Sequence, residues 1–260
     1  MTKQLWLRQR LTEIKLGFVF LTRLPLRHDT PVGKGDLAQA LWAAPLVGVV
    51  VALIGAIVFS AALALHIPLL PAAVLTVAAT VLVTGGLHED GLADVADGFG
   101  GGDTRERKLE IMRDSRIGTY GVCALILSFM LRVCSIAELG DDAAVLAALI
   151  AAHAGSRAMV PLFMQIVLPA RADGLAADAG APSSAVSLAA VLIGAAALIG
   201  ALGIVAGLVT LALLAAAGVF MAWLCWRHIR GQTGDVLGAL EQGGEMIVLL
   251  VAAAIAATPR

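Results

Sequence analysis

Charged residues are scarce in this chain, and tyrosine is almost absent. Asp, Glu, Lys and Arg make up 14% of the 260 residues, and there is one Tyr; an average soluble domain is about 25% charged. Hydrophobic residues reach 60%, compared with roughly 45–50% in soluble domains. This composition excludes an ordinary soluble enzyme and predicts a polytopic integral membrane protein. The net charge of −1 gives no reason to expect a nucleic-acid partner.

The three cysteines lack any paired spacing. Cys123, Cys134 and Cys225 each stand alone in an apolar run, which excludes a thiolate metal site and a disulfide framework. We expect them to be small buried hydrophobic residues. The first residues also lack the uninterrupted apolar core of a cleaved signal peptide, because charges break their apolar pattern.

Long apolar runs fill most of the chain after residue 36. A helix needs about 20 apolar residues to cross the hydrocarbon core, and the runs divide into seven such segments. They are 37–65, 69–86, 117–137, 143–168, two segments within 185–226 divided near Gly203–Gly207, and 236–257. Pro45 is expected to kink the first. The chain is therefore predicted to be an all-α membrane bundle of about seven transmembrane helices over 37–257, within a single domain spanning residues 1–260.

The N-terminal segment has a different pattern. Residues 4–24 alternate large apolar residues with charged ones, most of them basic. This pattern is typical of an amphipathic helix lying in the membrane interface, with its apolar face in lipid and its basic face toward anionic headgroups. Residues 1–36 are therefore expected to form a cytoplasmic, interfacial segment.

The positive charges are unevenly distributed along this predicted topology. Fifteen of the eighteen Lys and Arg fall before the first span or in every second loop after it, and the other three are Arg132, Arg157 and Arg260. Because cytoplasmic loops carry the excess of positive charge, the pattern predicts a cytoplasmic N-terminus and an external C-terminus. It also predicts that the polar motifs face the cytoplasm, at the inner membrane of a bacterial cell.

The longest polar stretch between apolar runs is Leu87–Gly118, and its first half is acidic. Asp90, Asp94 and Asp97 are spaced i, i+4 and i+7, so they lie on one face of a helix. Ionised carboxylates so close together repel one another unless a cation lies between them. The spacing predicts a divalent metal held by oxygen atoms, with Mg²⁺ favoured. The alternative interpretation is a solvated acidic helix start.

Other residues of the same helix are weaker candidates. His88 and Glu89 point away from the aspartate face by helical angle, although both stay second-tier candidates. Gly91 and Gly98 are poor helix formers and would let a bulky substrate approach the backbone closely.

The second half of the stretch is basic. Arg113, Asp114, Ser115 and Arg116 precede a span at the depth of the aspartates, and the arginine fork suits phosphate oxygens. A carboxylate-held metal beside arginines is the equipment of phosphoryl or nucleotidyl transfer, which depends on positioning and charge neutralisation. The earlier basic residues, within 105–108, fit equally well as an ordinary cytoplasmic loop.

A third motif, Gly231–Ala239, opens the last span. Its Thr233, Gly234 and Asp235 stand at a helix entry, where backbone N–H groups can bind an anion. The same residues also suit an ordinary capped turn, which the residues by themselves favour.

Three of the ionisable residues within the predicted spans stand out. A charged side chain within the hydrocarbon core costs free energy, so Glu245 and Arg157 are functional candidates by default. Arg157 is a candidate partner of a carboxylate or a phosphate. Arg132 is more ambiguous, and snorkelling toward the interface is one explanation for it.

Taken together, the motifs resemble the cobalamin synthase family. The runs Thr84–Gly98, Leu109–Thr119 and Gly231–Ala239 look like its signatures, with shorter matches at Phe20–Pro25, Ser156–Arg157 and 170–175. The resemblance extends over almost the whole chain. It implies ribazole transfer, in which a hydroxyl of α-ribazole or of its 5′-phosphate attacks the diphosphate of adenosylcobinamide-GDP. GMP leaves, a phosphodiester forms, and Mg²⁺ is required.

The resemblance also implies roles for individual residues. Asp90, Asp94 and Asp97 would be catalytic and, with Glu89 as a weaker ligand, would hold the metal and the diphosphate. The implied substrate-binding set is Arg113, Asp114, Ser115, Arg116, Arg157, Thr233, Gly234, Asp235 and Glu245. For the base that accepts the proton of the attacking hydroxyl we favour Asp97, because a carboxylate not saturated by metal can accept it.

Two other functions are compatible with parts of the pattern. A CDP-alcohol phosphotransferase also has spaced aspartates with an Asp-Gly pair, but that family expects Asp-Gly-x₂-Ala-Arg, whereas here Asp90-Gly-Leu-Ala is followed by Asp94. A transporter would place the charges within the spans on a translocation path, whereas the motifs here cluster on one face. The sequence leaves the oligomeric state open, with a homo-oligomer among the options.

Overall fold

The fold is taken from a computed structural model, which describes residues 3–27 and 31–257. Residue Arg260 of the charge pattern lies outside these ranges. The described residues form twelve helices: α1 Lys3–Leu21, α2 Asp36–Ala40, α3 Ala44–Ala64, α4 Leu69–Thr84, α5 Leu87–Gly101, α6 Arg105–Ile111, α7 Thr119–Leu139, α8 Asp142–Ile166, α9 Leu175–Ala179, α10 Ser184–Leu202, α11 Ile204–His228 and α12 Gly234–Ala256. The β-structure within these ranges is a single isolated parallel bridge between Pro169 and Gln232.

The predicted membrane bundle is confirmed. Six helical segments are long and apolar enough to cross a bilayer, namely 36–64, α7, α8, α10, α11 and α12, and α4 with α5 makes a seventh if the pair counts as one broken span. The predicted division of 185–226 is also confirmed, because Gly203 has a φ of 83° and separates α10 from α11. Pro45 lies in the first turn of α3, after a 3₁₀ turn at Leu41–Ala43. It therefore begins a helix where a kink was expected.

A sharp bend separates α4 from α5. Gly85 and Gly86 have φ angles of 70° and 71°, a left-handed conformation that costs other L-residues free energy. The two helix axes meet at 91°. Because α4 has 16 residues, it is roughly 24 Å long, which is shorter than the roughly 30 Å hydrocarbon core. The helix that carries the acidic motif thus turns away from the direction of the span before it.

Helix α8 lies at the centre of the bundle and packs against α3, α10 and α12. Small residues allow these helices to approach closely. On α3, a Cβ added to Gly48 would lie 2.2 Å from the carbonyl oxygen of His153. On α10, a Cβ at Gly194 would collide with the side chain of Ala158. The bundle around α8 is therefore held by backbone contacts that larger residues would prevent.

Helix α1 is attached to the bundle near its C-terminal end. Glu13 is buried and accepts a hydrogen bond from the indole Nε1 of Trp42 at 2.6 Å. The apolar residues of α1 that precede Glu13, including Trp6 and Leu11, are exposed. The predicted helix is confirmed, and its exposed apolar side chains suit the interfacial position that we predict for it.

Two expectations about buried residues are wrong. Cys123 and Cys134 are exposed on the surface of α7, and Cys225 is buried as expected. Arg132 does not snorkel: it is 2% exposed and its guanidinium points into the bundle. The periodicity of an apolar run does not distinguish its lipid-facing side from its protein-facing side, because both are apolar in a membrane protein.

We predict that Gly86→Ala lowers the free energy of unfolding by about 1–2 kcal/mol, because an L-residue is disfavoured in the left-handed region. No atom lies within 4 Å of a Cβ at this position, so the loss would report backbone strain alone. Gly200→Ala in α10, which also has open space around its Cβ, is the matched control and is expected to be neutral or slightly stabilising. Equal thermal unfolding of the two variants in detergent would contradict the strain.

Candidate functional site

The three aspartates of α5 share one helical face, as predicted, but their surroundings differ. Asp90 is exposed, Asp94 is half-buried and Asp97 is buried. The carboxylate of Asp97 accepts hydrogen bonds from the backbone N–H groups of Gly118 at 2.7 Å and Gly121 at 2.9 Å. Both of its oxygens are therefore engaged at the N-terminus of α7, where a negative charge is stabilised by the helix dipole. Asp97 anchors α5 to α7.

Glycines bring α5 against the start of α12. A Cβ on Gly91 would lie 2.6 Å from the carbonyl oxygen of Asp235, and one on Gly238 would lie 3.3 Å from the backbone of His88. Gly91 thus makes room for a neighbouring helix, where the sequence suggested room for a substrate. The same correction applies to Gly98, whose open side is filled by Met112 of the segment after α6.

A cavity of about 160 Å³ lies where these helices meet α8. Its polar lining includes Asp90 of α5, Asp235 of α12 and Arg157 of α8. These residues belong to three of the predicted motifs, which are far apart in the sequence. The structure therefore brings the acidic helix, the last-span motif and the arginine of the fourth span to one cavity.

Among the described residues, no cation forms an ion pair with Asp90 or Asp94. Asp94 lies in the negative field of Asp90, Asp97 and Asp235, and Arg171 approaches Asp235 at 3.6 Å. Uncompensated carboxylates of this kind, with hard oxygen donors, fit Mg²⁺. They do not form a closed cage. Within the described parts of the chain, only His153, Glu241 and Glu245 bring three ligand-type atoms within 4.8 Å of one another.

Below the cavity lies a buried network of ion pairs, and Arg132 of α7 is its first centre. Its Nη1 donates to Glu89 Oε1 at 2.8 Å and to Gln242 Oε1 at 3.0 Å, and its Nη2 lies 3.3 Å from Glu245 Oε2. Gln242 Nε2 also donates to Glu89, at 3.3 Å. Glu89 of α5 is thereby tied to α7 and α12 inside the bundle, away from the exposed oxygens of Asp90.

Arg157 of α8 is the second centre. Its Nη1 lies 2.6 Å from Glu241 Oε1 and 3.0 Å from Glu245 Oε1, and His153 is paired with Glu245 as well. The sequence predicted a carboxylate or a phosphate as the partner of Arg157. In this structure Arg157 is paired with two carboxylates. Its Nε has no hydrogen-bond partner, although the residue is 1% exposed and lines the cavity.

The network defines the positions of four helices. Glu89, Arg132, Arg157 and Glu245 come from α5, α7, α8 and α12 in turn. A buried charge is tolerated when it is paired and hydrogen-bonded, whereas one left alone is strongly destabilising. Glu89 and Glu245, predicted as metal ligand and substrate-binding residue, therefore lie among protein cations. Glu245 reaches the cavity only through Arg157.

The basic loop between α6 and α7 is mostly engaged with other parts of the protein surface. Arg113 forms an ion pair with Asp173 at 2.6 Å, and Arg116 forms one with Asp114 at 2.6 Å. The Arg116 guanidinium lowers the pKa of Asp114 to about 2 through these hydrogen bonds, and Arg113 lowers the pKa of Asp173 in the same way. Ser115 is exposed. These residues lie outside the cavity lining.

Two earlier basic residues have structural partners. Arg105 donates from Nε to the carbonyl oxygen of Ile229 at 2.9 Å and from Nη2 to that of Ala170. Lys108 donates from Nζ to the carbonyl oxygen of Phe99 at 2.9 Å and to that of Gly102, at the end of α5. Cations at a helix C-terminus satisfy its free carbonyls. Both residues thus hold loops and helix ends beside the cavity.

Thr233 caps the N-terminus of α12. The capped turn, one of the two interpretations of Gly231–Ala239, is therefore present. Thr233 Oγ1 accepts from the backbone N–H of Val236 and donates to Asp235 Oδ2 at 3.0 Å. Gly234 and Asp235 line the cavity as well. The turn therefore both caps α12 and fixes the direction of the Asp235 carboxylate.

Several polar residues of this region were not among the predicted site residues. Glu241, Gln242 and His153 are buried in the network, and Arg171 adjoins Asp235 with an Nη1 that has no hydrogen-bond partner. One signal was available, because Glu241 and Gln242 precede Glu245 by four and three residues and so share its helical face.

Within a bundle of membrane-spanning helices, an acidic helix that bends away from its span meets an arginine and a second acidic helix start at one cavity. This arrangement fits an integral membrane enzyme that acts on a phosphorylated substrate. A model of the family described as cobalamin-5-phosphate synthase matches residues 13–253. The chain belongs to this family.

Individual relatives are similar over nearly their whole length. An adenosylcobinamide-GDP ribazoletransferase of Bradyrhizobium diazoefficiens is 52% identical over 248 residues, which cover 95% of each chain. The protein of the same name from Mesorhizobium japonicum is 53% identical over 247 residues, or 94% of each chain. One from Xanthobacter autotrophicus is 45% identical, covering 89% of this chain and 91% of the relative. No solved structure matches the chain.

We predict that Arg132→Met lowers the free energy of unfolding by about 3–5 kcal/mol, because it leaves Glu89 and Glu245 buried without this cation. Arg107→Met is the matched control, because the Arg107 side chain is exposed and forms its ion pair with Glu110 on the surface of the same helix, α6. That change is expected to stay within about 0.5 kcal/mol. Denaturant unfolding in detergent measures both variants.

The double variant Arg132→Met/Glu89→Gln is expected to recover part of the loss, because it removes the Glu89 charge that Arg132→Met leaves without its cation, whereas Glu245 keeps Arg157. Strictly additive losses in the two single variants and the double variant would show that Glu89 and Arg132 do not interact.

Proposed function

We propose that this chain is an adenosylcobinamide-GDP ribazoletransferase. A hydroxyl oxygen of α-ribazole, or of its 5′-phosphate, attacks the phosphorus joined to cobinamide. The bond from that phosphorus to the GMP oxygen breaks, GMP leaves, and a phosphodiester forms. The observation that carries this proposal is the cavity at which Asp90, Asp235 and Arg157 meet. The names and full-length similarity of the relatives support the particular substrates.

Arg157 is the cation available to the diphosphate. Its Nη1 is held by Glu241 and Glu245, so the guanidinium has a fixed position before any substrate binds, while Nε has no partner. Catalysis of phosphoryl transfer rests largely on such preorganised charge. Arg157 would hold a phosphate oxygen of the donor through Nε.

Asp90 is the carboxylate best suited to accept the proton of the attacking hydroxyl. It is exposed and lines the cavity, whereas both oxygens of Asp97 accept backbone hydrogen bonds. We therefore propose Asp90 as the base in place of Asp97. Asp97 would act by holding α5 at the start of α7.

Asp94 and Asp235 are the residues that would hold Mg²⁺, which leaves Asp90 beside them free to accept the proton. Mg²⁺ is commonly bound through one or two carboxylates together with waters and substrate phosphates, which fits an open set of aspartates better than a closed cage. The ion would supply charge neutralisation to the diphosphate. The cavity end of the bundle, with its basic loops, would face the cytoplasm at the inner membrane.

Asp90→Asn is expected to reduce GMP release at least about 100-fold, the usual contribution of a general base, while leaving thermal stability near that of the wild type. Asp97→Asn is expected to lower both activity and stability, because its amide N–H₂ cannot accept from the start of α7. Asp103→Asn, an exposed acid of the following loop, is the control. The measurement is GMP release in membranes supplied with adenosylcobinamide-GDP, α-ribazole and Mg²⁺.

Wild-type membranes that release no GMP under these conditions would overturn the proposed function, and solute flux in proteoliposomes without GMP release would indicate transport. If Asp90→Asn released GMP at the wild-type rate, Asp90 would be excluded as the base.

Removal of divalent cations by EDTA is expected to abolish GMP release, because no metal ion then neutralises the charge of the diphosphate. Added Mg²⁺ is expected to restore the release. Asp94→Asn should raise the Mg²⁺ concentration needed for half-maximal rate, and Asp103→Asn should not. Undiminished turnover in EDTA would refute the metal requirement.

A further inference from the structure

The cavity beside Asp90 has a second kind of lining that the transfer chemistry does not use. Most of its residues are apolar, among them Phe20 of α1, Leu37 of α2, Leu41, Met164 of α8 and Leu237 of α12. The polar side chains come from α5, α8 and α12, whereas α1, α2 and α9 contribute apolar side chains alone. The cavity therefore suits a ligand with an apolar part and a polar, hydroxyl-bearing part.

The size of the cavity limits which ligand fits. Its volume is about 160 Å³, below the roughly 300–1,000 Å³ of pockets that enclose drug-sized ligands. A corrinoid macrocycle is far larger than this space. A single bicyclic ring is the size of group that such a cavity can enclose.

The polarity of the lining separates the two bicyclic rings of the reaction. Guanine carries several hydrogen-bond donors and acceptors on its edge, and the apolar side of the cavity, formed by α1, α2 and α9, would leave them unpaired at considerable cost. The dimethylbenzimidazole of α-ribazole is flat and almost wholly apolar. It gains free energy by leaving water for aromatic and aliphatic side chains.

We propose that this cavity is the acceptor subsite: Phe20, Leu41 and Met164 enclose the benzimidazole of α-ribazole, and its ribose extends toward Asp90. This inference rests on the proposed function and adds to it a residue set that selects the acceptor base. It also gives α1 a role, since Phe20 closes the cavity from the N-terminal helix.

Phe20→Ala is expected to raise the KM for α-ribazole about tenfold, because it removes a ring from the wall of the subsite, and to leave the KM for adenosylcobinamide-GDP unchanged. Phe18→Ala is the matched control. Phe18 lies on the same helix, is likewise partly buried and packs in the same hydrophobic cluster, but it does not line the cavity.

Met164→Gln tests the polarity of the wall with little change in size. The ratio of kcat/KM for α-ribazole to kcat/KM for the corresponding adenine α-riboside is expected to fall about tenfold, since the new amide can pair with a purine edge. A variant that changes both acceptors equally, or that raises the KM of the donor, would overturn the proposal.

Binding without turnover separates this proposal from the proposed function. A ligand that binds the folded state raises its melting temperature, so α-ribazole alone should stabilise the wild type and Phe18→Ala, with Phe20→Ala requiring about tenfold more ligand. Normal GMP release by the wild type with no shift for Phe20→Ala would refute the subsite and leave the transfer function standing. The subsite would survive alone if α-ribazole bound in this pattern while no GMP were released.

Discussion

The buried ion-pair network is the interaction on which the rest of the structure depends. Two arginines, Arg132 and Arg157, lie at most 2% exposed inside a membrane bundle, a location that strongly disfavours an unpaired charge. They meet carboxylates contributed by α5 and α12. If the helices shifted so that an arginine and its carboxylate separated, both would be left as buried charges without that partner. The ion pairs therefore favour one arrangement of the four helices. The aspartates of α5 inherit their position from it.

In that arrangement, acidic residues of α5 that look equivalent in the sequence have different roles. Along α5, Glu89 faces the network, Asp90 faces the cavity, and Asp97 caps α7. The identity of the side chain is nearly the same in each case, so the difference lies in what surrounds it. A carboxylate that already accepts two backbone hydrogen bonds is a support, and one left open at a cavity is available to a substrate.

The sequence was sufficient for features that depend on local pattern. Span lengths, the break at Gly203 and the shared face of Asp90, Asp94 and Asp97 all follow from helical geometry and bilayer thickness. The partners of Arg132 and Arg157 did not follow, because they lie on other helices and no spacing within one run encodes them. Likewise, Gly91 could not be assigned to helix packing until the approach of α12 was known.

Two kinds of contact hold α5 against α12, and each needs the other. The glycine contact at Gly91 and Gly238 brings the backbones within van der Waals distance, which sets the separation of the two helices but provides no partner for the charge of Glu89. The polar links from Glu89 to α12, one made directly by Gln242 and one through Arg132 of α7, are directional, but side-chain motion could still maintain them if the helices were farther apart. Close packing limits the distance between the helices, and the polar links of Glu89 fix the rotation of α5 about its axis. A transfer site that works by placing charge at a defined point requires both.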